Sequence, residues 1–170
     1  MTTKLSHTTI IAAIVLLFSA AVVYAWLPGR MTGGGSIFTT SGVRVTHGFE
    51  LHCGSDSNPV PAGPNNLEIN WDSGNHFHLD TVTLADCSRV DDISPAPPPN
   101  TADGFNTYHG IGTGTCNGVS GVAIDWIFTD QGEPGTKDTA QYSIAGGGAC
   151  PTLNVGPTNL TFGNHQAHKE

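Results

Sequence analysis

The sequence predicts an all-β protein with an antiparallel β-sandwich or jelly-roll-like fold, braced by disulfides and preceded by an N-terminal signal helix. Apolar and polar residues alternate with a period of two in several short segments, as they do in strands that bury one face. Thr, Val, Ile, Gly and Asn fill these segments, whereas strong helix formers are scarce. Turn signals separate about seven to nine such segments, which is typical of antiparallel sandwiches.

The first 25 residues have the features of a secretory signal peptide. A single basic residue, Lys4, precedes an uninterrupted apolar stretch over residues 10–25, and Val23 and Ala25 form the V-x-A ending that a signal peptidase recognises. An uncleaved membrane anchor is the alternative, because the apolar run extended to Leu27 reaches about the minimum length that crosses a bilayer. The position of the V-x-A ending favours cleavage, and the protein is therefore expected outside the cell or on its surface.

The remaining chain, about 145 residues long, has the size of one ordinary domain. We expect a Gly-rich N-terminal segment at residues 26–42, a β-sandwich domain at 43–164 and a frayed polar tail at 165–170. The SIFTT motif behind the flexible glycines is expected to form a short edge strand. It is also a candidate for donation to the sheet of a second copy, which would allow self-assembly into filaments.

The formal net charge of the full chain is −8, and Lys4 is the only charged residue lost with the signal. A surface of that sign repels phosphate backbones, which argues against nucleic acid as a partner. The partners that remain are a surface polysaccharide, a protein or further copies of the chain, and the membrane only through an uncleaved signal segment.

Four segments show the strand pattern most clearly. In the segment after Phe77 and Leu79 the inward parity changes to Val82 and Leu84, which predicts a β-bulge or a change of sheet near residues 80–81. The proline cluster within residues 88–104 suits an exposed extended loop. The other inward-facing residues are Val43, Val45, Phe49 and Leu51, then Leu67, Ile69 and Trp71, then Val122, Ile124, Trp126 and Phe128.

The chain has four cysteines, Cys53, Cys87, Cys116 and Cys150, all in the exported part, where they should be oxidised. Three connectivities are possible, and the sequence alone does not choose between them. The sequential pairs are favoured, since each closes a loop of roughly 34 residues and would contribute about 3–4 kcal/mol of stability. A four-thiolate zinc site needs paired CxxC spacing, which is absent.

Several strings, in order along nearly all of the mature chain, resemble the post-anchor (post-COAP-like) domain of bacterial exported and surface proteins. The resemblance implies an extracellular β-rich module without known activity, and it transfers no catalytic residue. It also implies that the first cysteine pair belongs to the family and that Cys116 and Cys150, as an addition, pair with each other. The strings are MTGGGSIFT, RVTHGFELHC, PNNLEINW, NHFHL, FTDQGEPGTKD and GNHQAHK.

A polar face rich in histidine is the first candidate site. His76 and His78 project from one face of a strand about 7 Å apart, a separation that lets two imidazoles share a metal ion. Glu68 and His52 would join them if their strands are neighbours, and such a set suits zinc, copper or nickel. A solvated sheet face is the simpler interpretation. His47 falls on the apolar side and is expected to be a buried, hydrogen-bonded histidine.

An acidic loop is the second candidate. Asp130, Glu133 and Asp138 crowd one segment with two glycines, which would suit a weak extracellular calcium site, although the spacing is not that of an EF-hand. A plain acidic turn is the alternative. Asn159 begins the one glycosylation sequon, N-L-T.

No catalytic motif is present. The chain lacks a G-x-S-x-G elbow, and its cysteines are expected in disulfides. A paired-carboxylate glycosidase would need a cleft for which a domain of this size has little room. The sequence thus predicts a secreted or cell-surface structural, adhesive or self-assembling module that is not an enzyme and requires no cofactor; the alternative is an extracellular protein that binds Zn, Cu or Ca.

Overall fold

The computed structural model describes residues 29–55, 57–61, 63–89 and 104–169. The expected signal segment at 1–25 and most of the proline-rich loop, residues 90–103, lie outside these ranges. A short 3-10 helix, Gly135–Lys137, precedes β7. The strands are β1 (Arg30–Phe38), β2 (Arg44–His52), β3 (Asn66–Trp71), β4 (Asn75–Ser88), β5 (Thr107–Cys116), β6 (Val119–Thr129), β7 (Thr139–Ile144), β8 (Leu153–Asn159) and β9 (Phe162–His168).

The nine strands form one continuous antiparallel sheet in the order β8-β7-β6-β5-β4-β3-β2-β1-β9, curled into a half-barrel. Strands β1 to β7 each pair with the next strand in sequence, and β9 returns to pair with β1. The all-β antiparallel prediction is confirmed, whereas a sandwich or jelly roll is not. Alternation shows that a strand buries one face, but it does not show whether that face packs on a second sheet or on the same sheet curled around.

No helix in the described part of the chain is both long and apolar enough to cross a membrane.

The glycine-rich segment that was expected to be a flexible edge is an internal strand. β1 pairs with β2 from Arg30 to Phe38 and with β9 only as far as Ser36, so the glycines lie inside the sheet. Among the described residues, Ile37 and Phe38 have no strand on the side away from β2, which leaves only this end of SIF at an edge. The glycines of β1 allow the neighbouring strand β9 to pack close to it. A Cβ atom on Gly33 would collide with the carbonyl oxygen of Asn164 and lie 3.0 Å from the Cα of His165.

The polar tail is likewise ordered. Residues 162–168 form β9, and His165 within it is fully buried, so the prediction of a frayed segment from residue 165 is wrong. The domain therefore extends beyond the expected 43–164 at both ends. The polar composition suggested an exposed tail, because β9 buries only part of its residues. In the structure the loop between β6 and β7 covers the outer edge of β9.

The middle of the inner face of β5 is formed by Gly110, Gly112 and Gly114, which make room for large side chains of neighbouring strands. A Cβ on Gly110 would lie 2.6 Å from Cη2 of Trp126, and one on Gly114 would lie 2.8 Å from Cε2 of Phe77. Trp126 and Phe77 are fully buried. The core thus lies inside the curl, where aromatic rings from β4 and β6 fill the space above the glycines of β5.

The predicted bulge in β4 is confirmed. The register against β5 shifts between Leu79 and Thr81, and Val82 is buried as expected. A second shift between Val82 and Leu84 was not expected, and because of it Leu84 is only partly buried while Ala85 faces the core. The second bulge offsets the first, so β4 resumes its inward pattern.

Two disulfides brace the sheet with the sequential pairing. Cys53, just after β2, bonds to Cys87 of β4, with Cα atoms 5.6 Å apart. Cys116 at the end of β5 bonds to Cys150 in the β7–β8 loop, with Cα atoms 5.5 Å apart. Each bond therefore ties together two chain segments that flank a third strand, β3 in the first case and β6 in the second.

Candidate functional site

The β3–β4 hairpin brings two of the expected metal-ligating residues together. Its register places Glu68 opposite His78 and Asn70 opposite His76. Nδ1 of His78 lies 2.5 Å from Oε1 of Glu68, and both side chains are almost half exposed. The two form an exposed cross-strand pair on the outer face of the sheet, where an ion pair contributes little stability.

His52 does not join that pair. The β2 residue opposite Glu68 is Gly48, so His52 lies further along β2, where its Nδ1 donates to the carbonyl oxygen of Pro64 at 2.9 Å. Among the described residues, no three His, Cys, Asp or Glu side chains are grouped as metal ligands. The predicted set of His52, His76, His78 and Glu68 is therefore not one cluster. Glu68 and His78 are paired, and His52 lies apart from them.

The acidic loop fastens the outer edge of β9. Oδ2 of Asp138 accepts the backbone N–H of His165 at 2.7 Å, and Oδ2 of Asp130 accepts that of Ala167 at 2.9 Å. Oε1 of Glu133 accepts the side-chain amide of Asn164 at 2.7 Å. These N–H groups lie on the side of β9 that has no neighbouring strand, so the carboxylates take the place of a strand partner.

Both buried carboxylates also accept a second backbone bond inside their own loop. The other oxygen of Asp138 accepts the N–H of Gln131 at 2.7 Å, and that of Asp130 accepts the N–H of Gly132 at 2.9 Å. Burial raises the pKa of Asp138 to about 6, against the lowering effect of its two backbone hydrogen bonds. The predicted calcium residues thus direct their oxygens to amide groups of the chain rather than to a common point.

The buried histidine predicted at position 47 has a partner that the sequence did not reveal. His47 lies opposite Gly35 and His165 lies opposite Gly33, so the two imidazoles meet above a stretch of β1 that has no side chains. Their Nε2 atoms are 2.7 Å apart. Glycines in β1 therefore allow β2 and β9, which are not neighbours, to be joined directly.

The hydrogen bonds around these histidines fix their tautomers. The carbonyl oxygen of Thr129 only accepts, so Nδ1 of His165 carries its hydrogen and Nε2 is an acceptor. Nε2 of His47 must then donate to it, which leaves Nδ1 of His47 to accept from the hydroxyl of Tyr142. The chain Tyr142, His47, His165, Thr129 runs in one direction, and each ring nitrogen has one partner while both imidazoles are neutral.

Burial keeps this chain uncharged. Desolvation lowers the pKa of His47 to about 3, with a further contribution from His165, and lowers the pKa of His165 to about 4. Burial also raises the pKa of Tyr142 well above its ordinary value. The ring of Phe128 stacks on His47 with centroids 5.1 Å apart. Aromatic rings enclose the chain, which is buried and holds strands β2, β6, β7 and β9 together.

The surface candidate is a cleft at the seam of the half-barrel. Ser36 is the last β1 residue paired with β9, and the β1–β2 hairpin continues past it towards β8. Two adjoining cavities of about 300 and 270 Å³ lie between this hairpin and β8, and they share Thr39, Thr40 and Asn154. The cleft is therefore the place where the edges of the sheet approach each other without pairing.

Sequence reasoning missed most of what the structure brings together. His165 stood in a segment interpreted as a tail, and Tyr142 in a strand with no assigned role. The signal that was available is the alternation of Met31, Gly33, Gly35 and Ile37, which shows glycine at two core-facing positions of β1 and so calls for large partners above them.

No family model matches this chain, and the searches of curated proteins and of solved structures found no match either.

Proposed function

We propose that this chain is exported and works outside the cell as a non-catalytic structural or adhesive module. The observation that carries the proposal is the pair of disulfides, each of which ties together segments on either side of a third strand. Disulfides form and persist in oxidising compartments such as the cell exterior. The signal-like first 25 residues support the same location.

The state of the interior supports a role without catalysis. His47, His165 and Tyr142 have the strongly shifted pKa values that active sites often show, but each is buried and hydrogen-bonded to another part of the sheet. Their bonds connect strands rather than present a group to a ligand. The surface cleft, in contrast, is lined mainly by uncharged residues, which suits binding better than proton transfer.

Export and oxidation are tested together by expressing the full chain in a bacterial host and recovering the protein from outside the cytoplasm. We expect an N-terminus at residue 26, no thiol that reacts in the denatured protein, and four reactive thiols after reduction. The matched control lacks residues 1–25 and should stay in the cytoplasm with reactive thiols. Recovery of the full chain in the cytoplasm with four free thiols would contradict the proposal.

A further inference from the structure

The seam cleft exists because β9 stops pairing with β1 before β1 itself ends. β9 covers the outer edge of β1 only as far as Ser36, where the N–H of Thr161 donates to the carbonyl of Ser36 at 2.7 Å. Beyond that point Phe38 and the Thr39–Ser41 turn face β8 across an open gap. The gap therefore follows from the point at which β9 stops pairing with β1.

The lining of this cleft has the chemistry of a site for hydroxyl groups. The hydroxyls come from Thr39, Thr40, Ser41, Thr152 and Thr158; those of Thr39 and Ser41 bond each other, and that of Thr158 donates to the carbonyl of Gly156. Asn154 lines both cavities, and because its Oδ1 accepts the hydroxyl of Ser143 at 3.0 Å, it would meet a ligand through its NH₂ group. Asp72 is the one charged residue among those that line it. Hydroxyl and amide groups both donate and accept, so they match a ligand that carries many neutral hydroxyls.

An exposed aromatic ring completes the cleft. Phe38 lines the larger cavity and is 46% exposed, so its ring is accessible to a ligand in the cleft. One face of a sugar ring carries C–H bonds and is apolar, so it packs on an aromatic ring while the hydroxyls at its rim reach polar side chains. Phe38 and Asn154 together offer both halves of that contact.

Two other occupants fit less well. An added peptide strand would need a regular row of backbone groups, but β8 contains Pro157, which lacks an N–H, and its pairing with β7 is irregular nearby. An anionic polymer would meet Asp72 and a chain of net charge −8. The combined volume is in the range of small-ligand sites and suits a few sugar units.

We propose that the seam cleft between the β1–β2 hairpin and β8 binds a short stretch of a neutral polysaccharide, with Phe38 stacking on a sugar ring and Asn154 bonding its hydroxyls. This inference rests on the proposed function, because it supplies the contact through which an extracellular adhesive module would hold a surface polymer.

The test is a titration of the mature, oxidised protein with chitotetraose, cellotetraose and maltotetraose. Calorimetry measures the affinity, and NMR chemical shifts locate the site. At least one of the three should bind, with shifts concentrated at residues 38–41 and 152–158. Phe38→Ala and Asn154→Ala should each weaken binding at least tenfold. Phe162→Ala is the matched control, since Phe162 is 67% exposed on β9 and does not line the cavities; its affinity should stay within twofold.

Several results would overturn the inference. These are no binding of any of the three sugars, shifts that map elsewhere, or equal losses in Phe38→Ala and Phe162→Ala. Tighter binding of tetragalacturonate would show an anionic ligand, and binding of the synthetic peptide SIFTTS at the cleft would show a strand partner. Thiol content and export are measured separately, so a protein that is exported and oxidised but binds no sugar refutes this inference alone.

Discussion

His47 and His165 share a hydrogen bond between their Nε2 atoms at 2.7 Å, and this bond joins β2 to β9 over the glycines of β1. Because Thr129 fixes the tautomer of His165, the Tyr142 hydroxyl at the far end is required as a donor. These four residues thus form one connected chain of hydrogen bonds, and a change at either end affects the whole of it.

Tyr142→Phe should lower the free energy of unfolding by about 1–3 kcal/mol, because it leaves Nδ1 of His47 buried without a donor. Urea unfolding at pH 7.5 measures the change. The matched control is Tyr108→Phe, whose hydroxyl donates to the partly buried carbonyl of His52 at 3.1 Å. We expect the control to cost less, and equal losses would contradict the directional chain.

Acid should destabilise the protein between about pH 6.5 and pH 4. The pKa values of His47 and His165 are lowered to about 3 and about 4, so below pH 6.5 the unfolded chain binds protons that the folded protein does not. Each histidine therefore removes about 1.4 kcal/mol of stability for every pH unit of acidification. Asp138 opposes them, because its pKa is raised to about 6 and the folded protein holds a proton that the unfolded chain releases.

The net effect of these three groups is a loss of stability of about 1.4 kcal/mol per pH unit, since two histidines act against one carboxyl. Urea midpoints at pH 7, 6 and 5 measure it. His47→Phe should flatten the dependence, whereas a wild-type midpoint that rises on acidification would contradict the assignment of neutral histidines.

Asp138→Asn should loosen β9 selectively at pH 7.5. An amide keeps one acceptor oxygen, but its NH₂ group then faces either the N–H of His165 or that of Gln131. Amide hydrogen exchange at residues 163–167 should accelerate by about tenfold or more, equivalent to about 1.4 kcal/mol of local stability.

Glu133→Gln is the control for this loop, because Glu133 contacts β9 only through the side chains of Asn164 and Gln166. Its exchange pattern should match that of the wild type. Uniform acceleration over the whole sheet in Asp138→Asn would show a general loss of stability instead of a local fastening.

The sequence predicted most of the strands, the bulge and the disulfide pairing, because each depends on local alternation or loop length. It did not predict the curl of the sheet or the position of β9. Whether Val122 and Trp126 face a second sheet or the same one is decided by pairing between distant segments, and alternation is identical in both cases.

The residues of the candidate site were likewise predicted only in part. Hairpin register placed Glu68 opposite His78, as the turn between β3 and β4 indicated, whereas His52 was assigned to the set by assuming a register that β2 does not have. His165 was missed because its only partners are more than 25 residues away in sequence. Sequence patterns describe near neighbours well and distant contacts poorly.

Gly110→Ala should destabilise the protein by about 3 kcal/mol or more, although glycine to alanine is otherwise favourable in a strand. The added Cβ would meet three ring atoms of Trp126, one of them at 2.6 Å and two closer, and Trp126 is fully buried in the core. The matched variant is Gly48→Ala, also within a strand, where nothing lies within 4 Å of the added atom. It should leave stability unchanged or raise it by up to about 1 kcal/mol. Thermal and urea unfolding compare the two variants directly. Equal stability would mean that the rings of β4 and β6 do not need glycine on the inner face of β5 in order to pack there.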